Sequence, residues 1–94
     1  MAFSFLTDDA FRTAIQAQER EFDSHDVILW FYRFAQGAYV REAERASGTY
    51  PVTELNRQIG LALLRYPDLI EKIGERESRT IGGEFRPCAL WRKR

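Results

Sequence analysis

The sequence holds one cysteine, one histidine and one methionine in 94 residues. A lone Cys88 leaves no partner for an intrachain disulfide, so the fold does not depend on an oxidising compartment. A single histidine and a single cysteine, without CxxC or HxxxH spacing, do not make the ligand set of a structural zinc module. No metal and no cofactor are expected. Long apolar runs are also missing. The longest, Val27–Phe31, falls far short of the ~18 residues of a membrane span, so no membrane partner is expected. The opening MAFSFLTDDAF has neither a basic start nor a long apolar stretch, so it does not read as a signal peptide, and the expected location is cytoplasmic.

Net charge is absent too: 14 Lys plus Arg balance 14 Asp plus Glu. A strongly basic nucleic-acid binder looks different. The balance hides an asymmetry. Residues 1–50 carry five basic and eight acidic side chains, a net of −3, and residues 51–94 carry nine and six, a net of +3. Repeats, linkers and low-complexity stretches are lacking, and the length suits a single domain over residues 1–94.

What the chain has in plenty is aromatic rings: seven Phe, four Tyr and two Trp. Bulky rings fill the small core of a domain this size efficiently. Thr7 caps a helix predicted over 8–21, with Asp8 and Asp9 in its first turn and Leu6 and Phe11 at staple positions. Phe11, Ala14, Ile15, Gln18 and Phe22 make its apolar stripe. Asp23, with Asp26 three residues on, caps a second helix predicted to continue to Ala46. Val27, Phe31, Phe34, Ala38 and Arg41 trace one face of it, Ile28, Ala35, Tyr39, Ala43 and Ala46 trace the adjacent one, and Ser47-Gly48-Thr49 end it. Gly37 is read as a point of close approach. A third helix is predicted over 52–65, burying Leu55, Ile59, Ala62, Leu63 and Tyr66 and stopped by Pro67. Gly82-Gly83 then marks the tip of a hairpin with arms at 69–78 and 84–92, anchored by Ile73, Phe85, Leu90 and Trp91. Pro87 in the second arm requires an edge side or a bulge.

The predicted fold is therefore α+β: three helices followed by a C-terminal β-hairpin. That element order resembles a winged helix-turn-helix domain. PVTELNRQIGLALLRY stands where the recognition helix would, and PDLIEKIGERESRTIGGEFRPCALW where the wing would. FDSHDVI and the closing CALWRKR also resemble segments of short uncharacterised bacterial proteins. The winged-helix resemblance implies a binding module, used for DNA in many members and for proteins in others.

No catalytic residues are assigned. Asp23-Ser24-His25-Asp26 contains the residue types of a hydrolase triad, but consecutive residues at a helix start fan out around the axis and cannot relay a proton. Cys88, flanked by Ala89 and Leu90, reads as a small core residue. The basic constellation carries the functional expectation. Asn56, Arg57 and Gln58 on helix three are types that reach base edges, and Arg76, Arg79, Arg86, Arg92 and Lys93 would track phosphates from the wing and the C-terminal end. Glu71, Glu75, Glu77 and Glu84 oppose this by neutralising the hairpin. The leading expectation is a non-enzymatic module that binds double-stranded DNA. The alternative is a protein-interaction or homodimerisation module that uses the aromatic second helix and no nucleic acid.

Overall fold

The computed structural model describes residues 3–46 and 50–94. The elements are α1 (Asp8–Gln16), β1 (Glu21–Asp23), α2 (Ser24–Phe34), α3 (Gln36–Arg45), α4 (Pro51–Ala62), a single 3-10 turn (Leu63–Arg65), β2 (Ile70–Arg79) and β3 (Phe85–Lys93). The class is α+β, with a three-stranded antiparallel sheet in the order β1–β3–β2. Among the described residues no helix is long and apolar enough to cross a membrane. The predicted end of helix two at Ser47-Gly48-Thr49 lies outside the described residues.

Local signals set the helix starts. Thr7 Oγ1 accepts the Ala10 amide at 3.1 Å. Asp23 and Asp26 form a reciprocal capping box, each carboxylate accepting the other's backbone N–H at 2.9 Å. Pro51 occupies the first turn of α4, where its missing N–H costs no hydrogen bond.

Four expectations need correction. The first helix ends at Gln16, not near residue 21, because the chain then turns into β1. Phe22 pairs with Trp91 and Asp23 with Leu90, so the hairpin gains a third strand that the sequence reading lacks. The second helix is not continuous. Ala35 leaves helical geometry at φ −137°, ψ 40°, and the chain restarts as α3. The break re-aims the second half, so Tyr39 and Glu42 turn into the core while Phe34 is left 70% exposed. Among the described residues nothing approaches Gly37 closely, since a Cβ there would meet none of them within 4 Å.

The hairpin lies within a residue of its expected arms. Its tip is closed by Thr80 N–H to Glu84 O at 2.7 Å and Gly83 N–H to Thr80 O at 2.9 Å. Gly83 sits at φ 88°, a left-handed conformation that favours glycine. Pro87 lies opposite Glu77 and beyond the three residues of β3 that pair with β1, so its missing N–H deprives no ladder. Of the four anchors, Trp91 alone is buried; Ile73 and Leu90 are half-buried and Phe85 is exposed. Trp91 Nε1 donates to Ser24 Oγ at 3.0 Å, tying β3 to α2.

The core lies between the helices and the inner end of the sheet. Phe11, Ala14, Ile15, Phe22, Val27, Phe31, Leu55, Ile59, Leu63 and Ile70 are all buried there. The predicted buried stripe of the third helix is correct at each of its five positions, Tyr66 included.

Candidate functional site

The hairpin stands away from α4 and leaves a groove of about 1020 Å³ between them. Thr53, Asn56, Arg57, Gly60 and Leu61, with Leu64 in the 3-10 turn, form one wall. Their three- and four-residue spacing puts them on one face of the helix. Thr80, Ile81, Arg86, Cys88 and Ala89 form the opposite wall, and Ser24, His25, Ile28 and Trp91 line the groove from α2 and β3. Two large apolar side chains stand exposed on the first wall: Leu61 is 53% exposed and Leu64 60%. Sequence reasoning left both leucines unassigned. Their signal was available, since they fall off the buried stripe and on the side of Arg57 and Gly60. A Cβ added at Gly60 would sit 3.9 Å from Ser24, an ordinary contact.

The groove gathers Asn56, Arg57 and Arg86 of the predicted nucleic-acid contacts, and not the others. Each of the three already has a partner. Tyr39 Oη donates to Asn56 Oδ1 at 2.6 Å; burial pushes that phenol up to about 12, with the Asn56 bond working the other way. Arg57 forks onto Glu54 at 2.6 and 3.1 Å, which holds the Glu54 carboxyl below its usual range and raises Arg57. Gln58 donates to the same carboxylate at 2.9 Å. Arg86 lies 2.8 Å from Glu84.

The remaining cations lie elsewhere. Arg76 bonds Asp23 at 2.8 Å and Asp26 at 3.3 Å. Arg92 bonds Glu71 at 2.8 Å. Lys93 donates to the carbonyls of Gln16 and Gln18 and so closes the C-terminal end of α1. Arg79 stacks over Phe85, 5.2 Å from the ring centre. The expected basic surface is thus a set of cations already engaged by carboxylates, backbone carbonyls or an aromatic ring.

A second cluster lies where α2 meets the sheet. Asp23 is buried; desolvation opposes its charge, but bonds from Arg76, the Asp26 amide and Ser78 outweigh that and hold its carboxyl below the usual value. His25 Nδ1 is 2.7 Å from Ser78 Oγ, which is 3.7 Å from Cys88 Sγ. Cys88 is half-buried and lines the groove, so it is not the closed core residue expected from its apolar neighbours.

The aromatic surplus is divided. Phe31 and Tyr39 are buried, whereas Tyr32, Phe34 and Tyr50 are exposed. Trp30 bridges the two groups, its ring 5.7 Å from Phe31 and 5.5 Å from Phe34.

No protein-family model, no curated protein and no solved structure matches the chain.

Proposed function

We propose that the chain is a non-enzymatic binding module on a winged-helix-type frame, and that the groove between α4 and the hairpin seats an apolar segment of a partner protein. The observation that carries this reading is the outward face of α4 and the turn after it, where Leu61 and Leu64 stand exposed on one wall of the groove. A surface that reads bases is polar and cationic. Here the candidate base contacts are held by Tyr39 and Glu54, and the apolar side chains are the ones without cover. The hairpin supports a wing-like role because β1 and the Trp91–Ser24 bond tie its base down while its tip projects.

DNA binding is the second reading, and one observation favours it. Arg57 and Arg86 face the groove from opposite walls, each held among the described residues by a surface ion pair. Such pairs are worth about 0–1 kcal/mol, little enough for a phosphate to displace.

One experiment separates the two. Peptides are selected from a random display library on the parent protein and counter-selected on the Leu61→Asp/Leu64→Asp variant. They are then titrated against labelled protein, in parallel with mixed-sequence duplex DNA at low salt. The protein-partner reading expects peptides with apolar anchors that move amides in 53–64 and 80–91, and no response to DNA. The DNA reading expects shifts in 52–60 and 76–86, with log affinity falling against log salt by about 0.9 per phosphate contact. On that reading Arg79→Gln lowers the slope by about one, and Arg57→Gln chiefly relaxes sequence preference. Failure of the selection together with a DNA response overturns the proposal.

A further inference from the structure

The chain's only histidine and only cysteine meet in the folded protein. Asp23 closes β1, His25 lies in the first turn of α2 and Cys88 lies on β3, yet one ligand atom from each falls within 4.8 Å of the other two. Strand register brings them together. Asp23 pairs with Leu90, two residues from Cys88, and Asp23 is also the residue that turns the chain into α2. We propose that Asp23, His25 and Cys88 bind a zinc-like divalent cation, with a fourth position open to the groove.

The donor types select the metal. A thiolate and an imidazole with one carboxylate suit a borderline-soft ion such as Zn²⁺ and not Mg²⁺ or Ca²⁺, which take oxygen. Metal–ligand bonds of ~2.0–2.3 Å place tetrahedral ligands roughly 3.3–3.8 Å apart. A pair standing at the 4.8 Å limit has to close by roughly 1–1.5 Å on binding, a shift that falls to the half-buried His25 and Cys88 because Asp23 is held. Asp23 is fixed in place: one oxygen accepts the Asp26 amide and the other Arg76 Nε. Together with the bond from Ser78 these leave one carboxylate lone pair for the ion. Ser78 orients the imidazole. Its hydroxyl bonds Asp23 and lies 2.7 Å from His25 Nδ1, which holds the ring beside the other two ligands. His25 and Cys88 both line the groove, so water reaches the fourth position.

Arg76 is the built-in competitor, because its guanidinium already compensates the Asp23 charge. This gives the site a signature that a chance surface cluster lacks: weakening the Arg76 contact strengthens metal binding.

The test titrates the full chain with Co²⁺ as a spectroscopic substitute, then with Zn²⁺. The expected result is one Co²⁺ per chain, a thiolate-to-cobalt charge-transfer band, the intense visible bands of a tetrahedral ion, and displacement of all of these by Zn²⁺. Zn²⁺ also protects Cys88 from a thiol reagent. Cys88→Ser removes the charge-transfer band, and His25→Asn raises the apparent Kd at least tenfold. Arg76→Gln lowers the Kd, and Zn²⁺ raises its melting temperature more than it raises the parent's. Thiol protection in the parent decides the matter even where a variant fails to fold. The proposal is overturned by Co²⁺ binding without the charge-transfer band, by equal affinity in Cys88→Ser, or by Cys88 reacting equally fast with and without Zn²⁺.

Discussion

Replacing Phe31 by alanine should lower the unfolding free energy by about 3–5 kcal/mol, the usual cost of deleting a core ring and leaving its cavity. Phe31 is 0% exposed, in the second half of α2, and its ring meets Phe11 edge-on at 4.9 Å and Trp30 at 5.7 Å. Neither α1 nor α2 can move in to fill the space without dislodging the other contacts of Phe11, which also stacks on Tyr66 at 5.8 Å. The informative comparison is Phe34→Ala. A continuous helix places Phe31 and Phe34 on one buried stripe and makes the two losses similar. The break at Ala35 leaves Phe34 exposed, touching Trp30, so its loss should cost no more than about 1.5 kcal/mol. Urea midpoints with an unchanged m-value measure both. Equal losses would mean that α2 and α3 are one straight helix in solution.

That comparison marks the boundary of what the sequence makes legible. Thr7 and Asp23 announce their helices because a cap acts over three residues, and Gly82-Gly83 announces the hairpin for the same reason. The stripe from Leu55 to Tyr66 is readable because its period is local. β1 is not. Glu21-Phe22-Asp23 is too short to display an alternation, and its partner Trp91 is 69 positions away from Phe22 in the chain. The break at Ala35 belongs to the same class, because tertiary packing of Tyr39 and Glu42 wins over local helix preference. The candidate groove was half legible. Asn56, Arg57 and Arg86 are in it, but the carboxylates that hold the two arginines are visible in sequence only as nearby charge. Asp23, His25 and Cys88 converge solely through the β1–β3 register, so with β1 unseen no spacing rule could assemble them.

Glu42 is the second position where a large effect is expected. Its carboxylate is buried, and Oε2 accepts the backbone N–H of Phe5 at 2.5 Å and of Leu6 at 2.8 Å. It therefore pins the segment before α1, whose Leu6 and Phe3 pack on the core. Glu42→Ala removes the acceptor of both amides, and at ~1–2 kcal/mol for each stranded donor the loss should be about 2–4 kcal/mol. The pH dependence identifies the cause. Burial opposes the charge, but the backbone bonds from Leu6, Phe5 and Ser4 prevail, so the folded carboxyl titrates below its ordinary 4.5. A group depressed on folding stabilises fully above its unfolded value and ceases to do so as the pH falls through its folded value. The parent should hold its stability down to about pH 4.5 and lose it below, with Asp23 adding a loss of the same sign below its ordinary 3.8. Glu42→Gln should start lower at neutral pH and decline less steeply on acidification, so that the two stability curves draw together at low pH. Urea unfolding between neutrality and pH 3 supplies both curves. Parallel curves would show that the Glu42 charge contributes nothing and that its side chain acts through packing alone.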